Sequence, residues 1–430
     1  MDERGQDGDG DEGHPGKPPL SNLEEMMARL NAHIGSKGDV NSDFKFWNTQ
    51  PVPKLDDESI FDMQKGCPIE PDRPVEDIQK KPHALLSHFE WEELDLQHEP
   101  ILDQLYALLS ENYVEDDDAG FRFDYSKAFL SWALFPPGWR KDWHVGVRVK
   151  ASGKLVAFIS AVPVLLHVRE HAQSMPEINF LCVHKKLRSK RLAPVLIKEI
   201  TRRVHLTGCF QAVYTAGSYL PRPLTANQYY HRSLNTKKLV EVGFSRLPPN
   251  MPLSRMIRLN NVPEKTKTPG LRAMEERDVE AACALINRQS EKFQLRIEWS
   301  VAEFRHWHLE RAGVVYCYVV ENPDSHQITD VISFYVIPST VIRHDKHKTL
   351  DAAYLWNYGT EKTALTELMR DMLVVASKIK IDVFNALNMK QNESFFKELR
   401  FNAGDGILHY YVYNWKTRPI EPHENALVML

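Results

Sequence analysis

One stretch of the sequence, residues 177–203, limits the fold more than any other. Residues 177–185 are mostly β-branched, aromatic or otherwise apolar, and this short run predicts a buried strand. Leu192, Leu196 and Ile200 then recur at four-residue spacing, with charged residues on the opposite face, and predict an amphipathic helix. A strand therefore leads almost directly into a helix.

The junction between this strand and this helix is strongly basic. It contains five cationic side chains and one hydroxyl: Lys185, Lys186, Arg188, Ser189, Lys190 and Arg191. The free N–H groups of a helix N-terminus attract anions, and cationic side chains pair with phosphate. A solvated basic helix end is the alternative, but the position directly after a strand favours a phosphate-binding junction.

Bulk properties exclude several classes of protein. The length of 430 residues predicts two packed units, and the apolar content of 43% is that of an ordinary globular chain. The net charge of −4 argues against nucleic acid or an anionic membrane as the main partner. Five widely spaced cysteines and an acidic, Gly-rich beginning indicate reduced thiols in a cytoplasmic protein without a secretory signal. We expect a monomer and no metal site.

The first 40 residues differ in composition from the rest. Residues 1–20 are dominated by Asp, Glu, Gly and Pro and are expected to be disordered. An apolar stripe between Leu23 and Ile34 predicts a short amphipathic helix. This helix either packs on the body of the protein or binds a partner.

Two aromatic segments contain candidate binding residues. Residues 44–53 combine aromatic side chains with two prolines, so Phe46 and Trp47 either join the core or form an edge on which a ligand stacks. Four consecutive acids at 115–118 are framed by aromatic residues between 113 and 125. They form either a solvated charge run or a recognition element for a cationic peptide segment.

The two halves of the chain repeat one order of elements. The first half reads as a helix at 85–114, a hairpin at 143–149 and 155–163, the strand, junction and helix of 177–203, and a strand at 211–217. After a polar segment, the second half reads similarly. It has helices at 275–289 and 361–378, an amphipathic segment at 298–310, and strands at 314–320, 331–338, 383–387 and 408–414. This repetition predicts two similar α+β lobes that share one large sheet.

The order of elements resembles the acyl-CoA-binding core of the GNAT superfamily, and the local sequence resembles the N-myristoyltransferases. The resemblance covers about residues 41–430, and six blocks carry it: 44–52, 112–125, 177–185, 214–217, 229–235 and 400–406. In the last block Arg400 replaces the Lys of the family signature and Asn402 replaces a Gly. Asn tolerates positive φ, so the second change is mild.

The resemblance implies a fold and an activity. It implies two tandem GNAT-like lobes related by a pseudo-twofold axis around a large mixed, saddle-shaped sheet. Residues 1–40 would form a tail, 41–228 an acyl-CoA-binding lobe and 229–430 a peptide-binding lobe. The activity would be transfer of myristate from myristoyl-CoA to the N-terminal glycine amine of substrate proteins. Transient contact of residues 1–40 with ribosomes or membrane would accompany it.

Catalysis by such a chain needs an oxyanion site and a base. The side chains of Phe180 and Leu181 are apolar, but their backbone N–H groups could stabilise a thioester oxyanion if the strand is bulged there, at about 3 kcal/mol per donor. The sequence contains no Ser/His/Asp or Cys/His constellation, and Cys182 is interpreted as buried. The apolar run 425–430 indicates a buried chain end, where desolvation raises the pKa of a carboxylate. The resemblance assigns the role of base to the Leu430 α-carboxylate.

Matching positions of the family give a full set of site residues. Near the reacting amine they place Asn179, Thr215 and Leu430. Around myristoyl-CoA they place Lys45, Phe46, Trp47, Phe180, Leu181, Cys182, Val183, Arg188, Ser189, Lys190, Arg191, Leu192, Ala193 and Pro194. Along the peptide they place Tyr113, Val114, Glu115, Asp116, Asp117, Asp118, Phe121, Phe123, Tyr125, Tyr214, Gly217, Tyr229, His231, Ser333, Asp405 and Gly406.

Two other functions remain open from the sequence. A GNAT-type N-acetyltransferase would share the phosphate-binding junction but prefer acetyl-CoA. A non-catalytic acyl-CoA-binding module would bind the thioester without releasing CoA, and the acidic aromatic segment and the apolar chain end argue against it.

The acidic run gives a first prediction. Changing Asp116, Asp117 and Asp118 together to Asn is expected to raise KM for glycine peptides that carry downstream lysines, because three charges that attract the lysines are removed. Steady-state kinetics measure this effect, and a peptide without lysines serves as the control. An unchanged KM for the lysine-containing peptide would contradict a recognition role.

Overall fold

A mixed sheet of 14 strands is the framework of the protein. The structure, a computed structural model, describes residues 44–116, 120–342 and 344–430. The strands are β1 Phe89–Glu93, β2 Phe121–Phe123, β3 His144–Val149, β4 Leu155–Val168, β5 His171–Val183, β6 Ala212–Ala216, β7 Thr225–Ser233, β8 Leu271–Ala273, β9 Leu295–Ile297, β10 Val315–Glu321, β11 Ile328–Val341, β12 Thr349–Thr360, β13 Val383–Leu387 and β14 Asn402–Tyr413.

The α-helices of the described residues cover the sheet. They are α1 Glu99–Asn112, α2 Lys127–Leu134, α3 Leu192–His205, α4 Thr236–Glu241, α5 Leu253–Asn260, α6 Val279–Ser290, α7 Val301–His308, α8 Leu365–Lys378 and α9 Glu393–Leu399. Apolar faces of α1, α3, α6 and α8 are buried, as the periodicity of their sequences predicts.

The strand order has an internal twofold repeat. From the central antiparallel pair of β14 and β7, one half continues β6, β5, β4, β3, β1 and the other continues β13, β12, β11, β10, β8. In each half the pairings run antiparallel, parallel and then antiparallel three times. Helices α3 and α8 supply the crossovers that the parallel pairs need. The predicted α+β arrangement of two similar lobes in one sheet is confirmed.

The two halves are also tied together through their strands. β14, from the end of the chain, pairs with β6 of the first half as well as with β7. The segment at 44–53 is held on β14, where Asn414 N donates to Pro51 O at 2.9 Å and the Tyr413 hydroxyl donates to Gln50 at 3.0 Å. The described residues accordingly form one compact unit.

Most predicted elements are found, and two of the predicted helices begin later than expected. The hairpin at 143–163 is confirmed, with Gly153 at φ +65° in its turn. The helix predicted over 85–114 begins only at Glu99, because β1 occupies the preceding segment at the edge of the sheet. The helix predicted from 361 begins at Leu365, and β12, which was not predicted, lies before it.

Asn402 does not take the conformation that its replacement of a glycine suggested. It is an extended residue at the start of β14, opposite His231. The left-handed position lies two residues earlier, at Arg400, with φ +62°. The departure from the family signature therefore requires no positive φ at Asn402.

Some expectations concern residues outside the described part of the chain. These are the disordered tail and helix within 1–40, with any ribosome or membrane contact they make, and the side chains of Asp117 and Asp118. In the described residues, no helix combines the length and apolarity that a membrane crossing requires.

The last six residues are fixed by buried hydrogen bonds. Asn425, which is 0% exposed, donates from Nδ2 to Asn227 Oδ1 at 2.8 Å and accepts the N–H of Leu427 at 2.9 Å. Ala426 N donates to Leu295 O at 2.8 Å. The chain end therefore runs through the core towards Leu430, as the apolar terminal run predicted.

The structural role of Asn425 can be measured. Asn425→Ala is expected to lower the free energy of unfolding by roughly 3 kcal/mol, because two buried hydrogen bonds are lost and their partners are left unsatisfied. Chemical denaturation measures the change. Asn402→Ala, at an exposed position, is the matched control and should change stability by less than about 0.5 kcal/mol. Equal stability of the two variants would contradict the assignment.

Candidate active site

A bulge interrupts β5 at the predicted oxyanion position. Phe158 pairs with Cys182 and Ser160 with Asn179, so Phe180 and Leu181 together oppose one residue of β4. Phe180 has φ +56°, a left-handed conformation that is costly for a bulky side chain. The strand is therefore bulged at Phe180 and Leu181, where the sequence analysis placed the oxyanion donors.

The phenyl ring of Phe180 holds this backbone in place. The side chain is 2% exposed and packs against Tyr125 at a centroid distance of 5.3 Å and Tyr113 at 6.0 Å. Burial raises the pKa of Tyr113, and a hydrogen bond with the Phe180 backbone opposes that rise. Aromatic packing therefore stabilises a conformation that the backbone alone would not adopt.

The basic junction forms a 3₁₀ segment, Lys185–Lys190, followed by Arg191 at φ +55° and then by α3. Arg188 Nη2 donates to Asn112 O at 2.6 Å, which connects the junction to the end of α1. Within the described residues, Ser189, Lys190 and Arg191 are exposed and make no side-chain hydrogen bond or ion pair. Leu192, Ala193 and Pro194 form the first turn of α3, where the N–H groups of Leu192 and Ala193 have no acceptor within the helix.

An apolar cavity of ≈ 180 Å³ lies between α3, β5 and β6. Ile197, Ile200 and Val204 of α3 form one wall, and Phe180 and Leu181 of the bulge line another part. Asn179, Thr215 and the terminal Leu430 also line it. The structure thus brings together in one cavity all five residues that were predicted to take part in catalysis.

A stack of aromatic rings closes one side of the cavity. Trp47 lies parallel to Tyr214 at 5.6 Å, and Tyr214 lies parallel to Tyr411 at 5.0 Å. Phe46 packs edge-on against Trp47 at 5.2 Å, whereas Lys45 is exposed. Trp47 is therefore half-buried in a stack of rings and lines the cavity.

The Tyr214 hydroxyl is buried and has no hydrogen-bond partner among the described residues. Burial raises the pKa of Tyr214 well above its ordinary value. The Tyr214 side chain lines the cavity, while its hydroxyl lies enclosed among protein atoms.

A second series of rings leads away from the bulge. It runs from Phe180 through Tyr125 and Phe123 to Tyr354, and then through Tyr229, His231 and Phe244 to Phe121, with centroid distances between 5.3 and 6.4 Å. This series contains most of the predicted aromatic peptide contacts. The sequence analysis did not name Tyr354 or Phe244 as members of the site. The alternation of Tyr354, Trp356 and Tyr358 on β12 could have indicated Tyr354.

His231 is held by specific contacts at the far part of this series. Its Nδ1 is 2.6 Å from Asn385 Oδ1. Burial lowers the pKa of His231, and the Asn385 bond and the Asp405 charge oppose the decrease. A β-carbon at Gly404 would lie 2.2 Å from His231 Nε2, which explains why glycine occupies this position. Asp405 and Gly406 follow on the exposed part of β14.

The acidic residues are divided between internal and exposed roles. Glu115 forms ion pairs with Lys185 and Arg122, which lower the pKa of its carboxyl group. Asp116 is exposed and accepts the N–H of Phe121 at 2.6 Å. Glu115 is therefore used within the chain, and Asp116 is the described acid that remains accessible to a peptide.

The other predicted residues have varied surroundings. Cys182 is buried, and burial raises the pKa of its thiol to about 12, which is unsuited to a nucleophile. Val183 is buried beside α3, while Val114 and Gly217 are exposed. Ser333 is fully buried, and its hydroxyl donates to Asn357 O at 3.0 Å inside the sheet.

The bulge, the basic junction and the apolar cavity define an acyltransferase that uses an acyl-CoA donor. Models of the N-terminal and C-terminal domains of myristoyl-CoA:protein N-myristoyltransferase match residues 68–227 and 241–427. The chain belongs to the N-myristoyltransferase family, the glycylpeptide N-tetradecanoyltransferases (EC 2.3.1.97).

Relatives and solved structures agree with this membership. The chain is 51% identical over 415 residues to glycylpeptide N-tetradecanoyltransferase 2 of Danio rerio, covering 95% of this chain and 83% of the relative. It is 50% identical to glycylpeptide N-tetradecanoyltransferase 1 of Arabidopsis thaliana, covering 90% and 89%. The crystal structure of Saccharomyces cerevisiae N-myristoyltransferase with bound myristoyl-CoA matches with a TM-score of 0.86 at 43% identity, covering 90% of this chain and 100% of that chain.

The contact between Gly404 and His231 gives a testable prediction. Gly404→Ala is expected to displace the imidazole and to raise KM for a glycine peptide about tenfold, with little change in the Kd of myristoyl-CoA, because the imidazole lies in the ring series away from the cavity. Steady-state kinetics and calorimetry measure the two quantities.

A double-mutant cycle supplies the control. If Gly404→Ala acts by moving His231, it should have little further effect in a His231→Ala background. Equal effects in both backgrounds would contradict this explanation.

Proposed function

We propose that this chain transfers myristate from myristoyl-CoA to the N-terminal glycine amine of substrate proteins, by direct attack of the amine on the thioester. The observation that carries the proposal is the meeting of the β5 bulge and the terminal Leu430 in one apolar cavity. The family supplies the reaction class, and the solved yeast relative has myristoyl-CoA bound.

The basic junction and the cavity would bind different parts of myristoyl-CoA. Ser189, Lys190, Arg191 and the first turn of α3 would bind the phosphates of CoA. The apolar wall formed by α3 would take the acyl chain. Each buried methylene contributes about 0.8 kcal/mol, so a long chain is strongly preferred over an acetyl group.

The bulge would stabilise the transition state. Attack on the thioester moves negative charge onto its carbonyl oxygen, and the N–H groups of Phe180 and Leu181 would donate to that oxygen. A rigid backbone donor needs no reorganisation during the reaction, which is the basis of its contribution. Tyr113, Tyr125 and the phenyl ring of Phe180 would keep these donors in place.

Proton removal is assigned to the chain terminus. The substrate's amine is largely protonated near neutral pH and must lose a proton to attack. The α-carboxylate of Leu430 would accept this proton, while Asn179 and Thr215 would hold the amine by hydrogen bonds. CoA then leaves as its thiol, and the amide remains on the peptide.

The peptide would extend along the ring series from Tyr125 to His231. A site with no space beside the first Cα selects glycine by steric exclusion. Asp116, together with the two acids that follow it, would attract basic residues further along the substrate. The chain would act as a cytoplasmic monomer, with the lobes divided near residue 228.

Release of CoA tests the proposed reaction. With a glycine-starting peptide, myristoyl-CoA is expected to give rapid CoA release, and acetyl-CoA is expected to be at least about a thousandfold poorer in kcat/KM, because the apolar cavity would remain unfilled. An alanine-starting peptide is the control and should give no product. Preference for acetyl-CoA would favour an N-acetyltransferase, and binding without CoA release would favour a non-catalytic module.

The chain terminus can be tested separately. Deleting Leu430, or extending the chain beyond it with a short tag, is expected to abolish turnover, because the carboxylate is removed or displaced from the cavity. The Kd of myristoyl-CoA should remain within a few-fold of the unmodified value. The same tag before Met1 is the control. Near-normal turnover of the deleted chain would contradict the terminal-base mechanism.

A further inference from the structure

Glu177 is a buried acid next to the cavity that the proposed mechanism does not use. It lies on β5 two residues before Asn179, so the two side chains are on the same face of the strand. Glu177 is 6% exposed, and Asn179 Nδ2 donates to Glu177 Oε1 at 2.6 Å. Asn179 itself lines the cavity together with Thr215 and Leu430.

This hydrogen bond fixes which end of the Asn179 amide faces the cavity. The ionised form of Glu177, which predominates above its pKa of about 7, can only accept hydrogen bonds, so it requires the amide to turn its NH₂ group towards it. The opposite end, Oδ1, accepts no hydrogen bond from the described residues. An ammonium group carries only donors and requires an acceptor such as this oxygen.

We propose that Glu177 is a positioning residue, which orients the Asn179 amide so that Oδ1 accepts an N–H of the substrate's terminal ammonium. The inference rests on the amine-binding role proposed for Asn179. If the amide were reversed, its NH₂ group would face the ammonium. Two hydrogen-bond donors would then lie next to each other without an acceptor between them.

The energetic cost of burying Glu177 agrees with a functional role. A buried carboxylate is expensive, and a neutral side chain of the same shape would pack at this position without that cost. Burial raises the pKa of Glu177 to about 7, and the bond from Asn179 opposes the increase. A glutamine could present either its oxygen or its NH₂ group to Asn179, so it would not define the orientation of the amide.

A mutant cycle at the two positions tests the coupling. Glu177→Gln is expected to lower kcat/KM for a glycine peptide roughly tenfold, as expected for a weakened hydrogen bond to a charged group. In an Asn179→Ala background the same change should have less than a twofold effect, because no amide remains to be oriented. The Kd of myristoyl-CoA and the thermal unfolding curve are measured for every variant.

A donor–acceptor exchange provides a readout that a structural role would not produce. Asn179→Asp alone places two carboxylates together and should reduce kcat/KM at least about tenfold. Adding Glu177→Gln should restore much of the loss, because the introduced amide donates to one carboxylate oxygen and leaves the other facing the ammonium. This comparison stands even if Glu177→Gln alone fails to fold.

The possible results separate the two assignments. If Asn179→Ala has near-normal kcat/KM, the amine-binding role of Asn179 is wrong, and the inference about Glu177 is overturned with it. If Asn179→Ala is impaired but Glu177→Gln is equally damaging with and without Asn179, only the positioning role is overturned. Absence of rescue in the exchanged double variant also overturns it.

Discussion

The left-handed backbone at Phe180 is the constraint on which the site depends. It interrupts the hydrogen-bond ladder between β4 and β5 beside an apolar cavity that Phe180 and Leu181 both line. A bulky residue adopts this conformation only when its surroundings stabilise it, and Tyr113 and Tyr125 supply that packing. Tyr125 also belongs to the aromatic series that leads to His231. The proposed oxyanion site and peptide path therefore share one structural support.

The repeated sheet brings distant parts of the sequence to this bulge. β14 completes the first half from the end of the chain, and the residues after it return through the core to Leu430. The central position of β14 and β7 places residues of both halves around the same cavity and ring series. The proposed base at the chain end therefore lies in the same cavity as the proposed oxyanion site, which is about 250 residues earlier in the sequence. This connection is a consequence of the topology and needs no long active-site loop.

Local patterns predicted much of this arrangement, and tertiary packing determined the rest. The apolar period of α3 and the basic junction were readable because each depends on residues close in sequence. Edge strand β1 and interior strands β7 and β12 were missed, since strands are stabilised by partners that lie far away in the chain. The pairing of Glu115 with Lys185, and of Asn179 with Glu177, also required coordinates. The sequence could indicate an acidic run, but not which of its acids forms ion pairs within the chain.

The central claim is that the backbone N–H of Leu181 stabilises the oxyanion. Replacing residue 181 by the α-hydroxy analogue of leucine exchanges this N–H for an ester oxygen and keeps the side chain. The account predicts that kcat falls roughly a hundredfold, with the Kd of myristoyl-CoA nearly unchanged, since only the transition state uses the donor. The same exchange at the exposed Leu86, away from the cavity and the basic junction, is the control. A kcat within twofold of the unmodified value would contradict the account.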